Sequence, residues 1–565
     1  MKEFFKLLTL LMLLVVSFTP VLTQNVSWQW ARSAGGGGDD IARSVVADAY
    51  ECVYVAGSFS SPSINFGTVT LTNSGSAGSD MFLVKYDAAG NVNWARSAGG
   101  SENDCAMSVC IRDSRHIYVG GYFKSTTITF GSYTLTNSFA PNEEQFIVKY
   151  DATGAVVWAK SASGSPGNDA INALAIDPLG NVFGTGYYQG SSITFGTDTL
   201  SNTFSGTKDV FLVKLDTTGN VLWVRGSGGL ANDIGNAVSA DPAGNVFVGG
   251  QFDSPDLLIG TITLNNNAPG ANDVFNGKYD AAGNLLWASA AGDYHHDYIL
   301  SVAADGAGNF YSAGYFRSMS ITFGTITMTN PWSPYGDFFL VKYDSAGSVL
   351  WAVKSIGSSS SDAITSVAPD PFGGVFITGH FQSPSITFGP NNLTNSTSNM
   401  QIYAAKYDGT TGTALWGVKV ANIDHDMGKS IAANNAGFAY VAGQFMSANL
   451  TFGSTILSNA STFYNDLFIA KLDGSVGLYP MTSNEHLTVY PNPFNDMAVI
   501  KSEKEFQQAV LRVIDCYGRT VSQVSGISGR TVVFSREKLA AGVYFFRLEQ
   551  DGQLIATAKM ITIDF

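Results

Sequence analysis

Between Ser44 and Ser97 the chain reads as four short runs in which apolar and polar residues alternate or small apolar residues cluster. The pattern predicts strands over Ser44–Asp48, Val53–Phe59, Phe82–Asp87 and Val92–Ser97. Phe82, Val84 and Tyr86 share one face of the third, and Val92 and Trp94 one face of the fourth. Strands three and four are joined by "DAAGN" (87–91), and strands one and two of a later copy by "DPAGN" (241–245). Both place Asp first and Gly where a positive φ is needed, the chemistry of a type I turn followed by a left-handed residue. The connection Ser60–Asp80 is much longer and contains "SINFGTVTLTN", which reads as a short hairpin of its own.

This unit recurs. Trp30, Trp94, Trp158, Trp223, Trp287, Trp351 and Trp416 follow one another at 64 or 65 residues. A lysine followed by Tyr or Leu and Asp keeps the same beat from Lys85 to Lys471. Seven copies of four strands predict an all-β fold, a seven-bladed β-propeller. The first copy opens with a lone fourth strand around Trp30, and the last stops after a third strand around Lys471. The N-terminal strand is therefore expected to complete the last blade and leave no open edge. The tryptophans read as packing positions between blades, with a sugar-stacking ladder as the alternative. Tight turns gather on one rim of such a disc, so the long connections share the other, which is where a site is expected.

Composition narrows the setting. Charged residues are 13% of the chain, glycines number 61, and the net charge of −14 comes without any basic run. Nucleic acid is thereby disfavoured as a partner. Lys2, Lys6 and the apolar stretch Leu7–Val16 read as a signal peptide over 1–23, too short to span a bilayer, and no later segment reads as a membrane span. Cys52, Cys105, Cys110 and Cys516 do not make a disulfide framework; a Cys105–Cys110 or Cys52–Cys110 bridge is an option beside buried free thiols. "GNVFVGGQF", "SITFG" with "TLTN", and "FLVKYDAAGN" with "LLWA" resemble the bacterial seven-bladed β-propeller repeat family over 24–474. That resemblance implies surface display and recognition rather than a reaction.

After Gly474 the beat stops. Residues 475–486 read as a linker, and 487–565 as a small immunoglobulin-like β-sandwich. Its strands are expected at Ala498–Lys501, Ala509–Asp515, Thr531–Phe534, Gly542–Glu549 and Gln553–Ile563. Pro491, Asn492, Pro493 and Phe494, then Gly518, then Gly542 and Tyr544, and finally Lys559 resemble the type A sorting domain of the type IX secretion pathway. The resemblance implies a Bacteroidetes-type bacterium, the type IX machinery as partner, passage through the periplasm, and a secreted or outer-surface location.

Candidate chemistry is sparse. Asp40, Asp104, Asp169, Asp233, Asp297, Asp362 and Asp426 precede the first strands at 64- or 65-residue intervals. Seven carboxylates in a ring offer a calcium-type site; the plainer reading is that each holds its own loop by accepting backbone N–H bonds. Departures from the repeat are the better clues. "GDYHHDY" carries His295 and His296 beside Asp297, and "NIDHDMG" carries Asp424 and His425 beside Asp426, two blades away. These groups offer metal binding or acid–base work, though without a recognised ligand spacing. Trp332 and Tyr335 in "NPWSPYGD" offer sugar stacking. The glycine-rich "SAGGGGDD" has no basic residue after it, so no phosphate cradle is expected. The leading reading is a non-enzymatic recognition or adhesion scaffold for a glycan or surface protein. The alternative is a secreted lyase or glycosidase, which would need two carboxylates about 5–10 Å apart.

Overall fold

The computed structural model describes residues 26–474, apart from 76, 114, 356–359, 421–423 and 462, and residues 488–562, apart from 493, 516–519, 537–538, 540–541 and 551–552. The expected signal peptide and linker, with Cys516, Pro493 and Gly518, lie outside the described residues. The described chain is all-β.

Each repeat copy builds an antiparallel sheet in the order first, second, third, fourth strand. In the first copy these are Asp40–Ala47, Val53–Phe59, Asp80–Tyr86 and Val92–Ala98. The first strand starts four residues earlier than the alternation predicts, because the aspartate expected ahead of it is its first paired residue, opposite Phe59. Six sheets are four-stranded; the sheet that begins at Asp169–Ile176 gains two more through Asp256–Ile259 and Ile262–Asn265. The long connection does contain a hairpin, Ser63–Phe66 against Val69–Thr72. The tight turns close as their residues require: Gly90 N–H donates to Asp87 O at 3.0 Å, with Gly90 at φ +78°.

Second and third strands are buried at every position in the first copy, whereas the fourth keeps Trp94 and Ala95 buried and Asn93 exposed. The cores lie between successive sheets. One joins Tyr54, Leu83 and Trp94 of the first copy to Val109, Val119 and Phe146 of the second. Six of the seven repeat tryptophans donate Nε1 to a carbonyl of the following sheet, as Trp94 does to Ala152 O at 3.1 Å, its ring lying against Gly154; the Trp416 Nε1 has no partner among the described residues.

The two ends meet as expected. Ser27–Ala34 pairs with Asp466–Asp473, bringing Trp30 opposite Lys471. First strands of successive copies lie side by side, and Met427–Ala433 lies against Asp40–Ala47. Serine hydroxyls tie many of these strands together. Ser44 Oγ accepts from Val109 N, Ser108 from Leu174, Ser366 from Ile431, and Ser430 from Val45, each at 3.0–3.1 Å. Cys52, Cys105 and Cys110 are free thiols, the last two buried, so neither optional bridge forms.

In the tail, Thr488–Tyr490, Met497–Asp515, Thr520–Ser535, Gly542–Gln550 and Gln553–Thr562 form one five-stranded antiparallel sheet. The separate strands expected at Ala498–Lys501 and Ala509–Asp515 are one long strand, whose register with its partner breaks between Lys501 and Leu511. Such breaks bend a strand. Apolar residues from both ends, including Ala498, Ile500, Leu511 and Val513, share one core with Phe494, Phe534 and Phe546. Among the described residues no helix is long and apolar enough to cross a membrane.

Candidate functional site

The repeat aspartates sit at the end of each sheet where the long connections gather. Asp297 is fully buried. Its Oδ1 accepts from the backbone N–H groups of Arg317 (2.9 Å) and Ser318 (3.1 Å), and its Oδ2 from the Ser318 hydroxyl (2.7 Å). Asp40, Asp104, Asp233, Asp362 and Asp426 make the corresponding bonds to Ser61, Ser125, Ser254, Ser383 and Ser447. Asp169 lacks the serine, because Gly190 stands there, and accepts from Gln189 N alone at 3.1 Å. Burial pushes the carboxyls of Asp40, Asp169, Asp233 and Asp297 up to about 7, and those of Asp104 and Asp362 to about 6, against the lowering effect of these bonds. Among the described residues no group of three or more His, Cys, Asp and Glu side chains is placed to hold a metal ion.

The histidine loops are engaged locally. His296 Nδ1 accepts from Asn272 N at 3.1 Å, and its ring stacks 6.3 Å from Tyr298. The His295 N–H donates to the Ser318 hydroxyl at 3.2 Å. Asp424 N donates to Ser447 Oγ, and the Asp424 carboxylate accepts from His425 N at 2.8 Å. Trp332 and Tyr335 are half exposed, on a loop pinned by Asn330, whose Oδ1 accepts from Trp332 N and whose Nδ2 donates to Tyr335 O.

A richer group lies beside these loops and escapes the sequence reading. The next-to-last residue of the second strand varies from copy to copy as Ser58, Tyr122, Tyr187, Gln251, Tyr315, His380 and Gln444. Each pairs with the residue that follows the repeat aspartate. Lys124 pairs with Glu143 at 3.3 Å, Glu143 accepts from the Tyr187 hydroxyl, and Lys208 Nζ stands 3.7 Å over the Tyr187 ring. Burial lowers the Lys208 amine and raises the Tyr122 hydroxyl to about 12. In the fifth copy Tyr298 and Tyr315 rings lie 5.0 Å apart, with Arg317 5.6 Å over Tyr315. Aligning the copies on Phe59, Phe123 and their equivalents exposes this variable position, since its neighbours barely change.

Two further cavities, of about 430 and 580 Å³, flank Lys160 between the second and third sheets. The smaller is lined by Gln145, a buried amide whose Nε2 has no partner where every other copy has an apolar residue. In the tail, Asn492 Oδ1 accepts from Ile561 N at 2.7 Å, and Phe494 is buried with its N–H on Ile561 O. Gly542 N–H donates to Thr562 Oγ1 at 3.0 Å, Tyr544 is buried, and the Lys559 backbone pairs with Phe545.

Residues 488–563 match the family described as secretion system C-terminal sorting domain. The chain is 25% identical over 513 residues to the uncharacterized WD repeat-containing protein L264 of Acanthamoeba polyphaga mimivirus, covering 78% of this chain and 35% of that one. It is 23% identical over 313 residues to the regulatory protein FlaEY of Caulobacter vibrioides, covering 53% and 32%. The chain thus spans about a third of the length of these relatives. Among solved structures, quinohemoprotein alcohol dehydrogenase from Comamonas testosteroni is 12% identical with a TM-score of 0.36, over 83% of this chain and 79% of that one. Sqt1 from Chaetomium thermophilum is 10% identical with a TM-score of 0.34, over 78% and 96%. Likenesses this distant carry no statement about chemistry. The matched tail implies the type IX secretion machinery as a partner and a secreted or outer-surface location.

Proposed function

We propose that residues 27–473 form a ring of seven blades, closed by the N-terminal strand and followed by an immunoglobulin-like sorting sandwich. We further propose that the exported protein, freed of its signal peptide, is a non-enzymatic recognition scaffold that binds a glycan or a surface protein through its long-connection face. The observation that carries this reading is the set of tyrosines near the ends of the second strands with the cations beside them: Tyr122, Tyr187 and Tyr315 with Lys124, Lys208 and Arg317. Aromatic faces beside donor-rich cations suit the apolar face and hydroxyl edge of a saccharide, or the polar rim of a protein epitope. Trp332 and Tyr335 add half-exposed rings within the same fold end.

The test places the full chain on immobilised bacterial, algal and plant polysaccharides, with and without calcium. Retention without release of product is expected, and Tyr187→Ala with Lys208→Ala should weaken it by roughly tenfold or more. Release of shortened saccharide would replace this reading with the lyase or glycosidase reading. No retention on any glycan would move the search to protein partners.

A further inference from the structure

Every first strand carries one residue out of register with the second strand: Arg43, Met107, Asn172, Asn236, Leu300, Thr365 and Lys429. A bulge of this kind turns one side chain away from the strand's regular alternation. Five of the seven are neutral. Asn172, Asn236 and Thr365 donate to carbonyls of the next first strand, namely Gly235 O at 3.0 Å, Ile299 O at 2.8 Å and Gly428 O at 2.7 Å. Met107 and Leu300 carry no charge to satisfy.

Arg43 and Lys429 are different, and they are neighbours. Their strands adjoin where the two ends of the repeat region meet, held by Val45 N–H on Ser430 Oγ at 3.1 Å, so Lys429 stands one residue and Arg43 two residues before a member of that junction. Among the described residues neither forms an ion pair with a carboxylate, in a chain of net charge −14. Arg43 Nε is buried without an acceptor, and the groups that face its guanidinium are Cys105 and Tyr122. Burial and the Arg43 charge lower the Lys429 amine to about 8. Beside Lys429 lies His380, buried, with Nδ1 unpartnered; burial, Lys429 and His425 hold it down to about 4. Arg43 and Lys429 are both half-buried, and two like charges brought together where water is partly excluded cost free energy unless something of opposite charge joins them. A guanidinium fork beside an ammonium is the donor set for the oxygens of one carboxylate or phosphate group.

We propose that Arg43 and Lys429 form an oxyanion-binding site on the ring of first strands, with His380 at its edge. The site takes a single carboxylate or phosphate group, and it stands whether or not the long-connection face recognises a glycan. Calorimetry on the full chain in low salt, where charge pairs are least screened, tests it with inorganic phosphate, glucuronate and glucose. Phosphate or glucuronate is expected to bind saturably and glucose not; which of the two binds identifies the source of the oxyanion. Arg43→Met and Lys429→Met should each weaken binding roughly tenfold or more, while Lys160→Met leaves it unchanged. Because an anion restores the Lys429 proton, binding at pH 8 should also take up protons, read from the dependence of the heat on buffer ionisation. That readout needs no variant and decides the matter if the variants fail to fold. Absence of saturable anion binding, binding indifferent to both substitutions, or binding without proton uptake would overturn the proposal.

Discussion

A buried carboxyl that ends each long connection sets how the molecule responds to pH. Asp297 holds its proton to about 7, whereas an exposed aspartate loses it near 3.8. Its folded pKa is raised, so its stabilising contribution is full below about 4 and is lost as pH rises through about 7. Asp40, Asp169 and Asp233 share that window, and Asp104 and Asp362 one that closes near 6. The melting temperature is therefore expected to fall between pH 5 and pH 8; a rise over that range would contradict the assignment. Asp297→Asn should flatten part of this slope, because an amide accepts the same two N–H bonds without ionising. Asp297→Ala orphans the N–H groups of Arg317 and Ser318 and should cost about 2–3 kcal/mol in denaturant melts. Turn glycines allow a second comparison. Gly347 (φ +89°) and Gly373 (φ +88°) share a backbone conformation, but an added Cβ would meet Trp287 at 2.8 Å at the first and nothing within 4 Å at the second. Gly373→Ala should cost about 1 kcal/mol, the backbone penalty alone, and Gly347→Ala clearly more.

At the scale of elements, what was legible in the sequence is what repeats locally. The second strand Val53–Phe59, the hairpin in the long connection and the Asp-to-Gly turns all follow from residues within a few positions of one another. The start of the first strand is hidden because its bulge breaks the alternation at Arg43, shifting everything before it by one residue. The same bulge hid the Arg43–Lys429 neighbourhood, which joins residues at opposite ends of the repeat region. Tyr122, Tyr187 and Tyr315 are illegible for a related reason: a tyrosine inside an apolar strand reads as core until its cross-strand partner is known. The N-terminal strand, by contrast, was found by counting, and its role yields a prediction. It pairs with seven residues of the Asp466–Asp473 edge, Leu467 to Asp473, with Trp30 Nε1 donating to Ala88 O at 3.0 Å. A chain beginning at Gly35 would leave that edge unpaired, and unpaired edges template association. It is expected to melt lower and to elute as larger assemblies than the full chain from a sizing column, whereas Trp30→Ala alone should cost about 3–5 kcal/mol and elute where the full chain does.

For the whole molecule, the repeat region and the sorting tail each possess a core of their own, and the family match confines itself to the second. The repeat region draws its stability from sheet-to-sheet contacts that run through both ends of the chain, since Val45 meets Ser430 and Trp30 meets Lys471. None of that chemistry involves the tail's buried Phe494 or its bond to Ile561. The proposed recognition and the export should therefore separate cleanly. A chain ending at Asp473 is expected to melt at the temperature of the repeat transition in the full protein, yet to stay inside cells that export the full chain. Phe494→Ala should have the same effect on export through the tail core alone, since it removes a ring that packs edge-on against Phe534 at 6.4 Å. Calorimetry of the purified chains and fractionation of the producing cells decide it. If the shortened chain melted well below the full protein, the tail would count as part of the folding unit, and loss of export would then report misfolding rather than a missing signal.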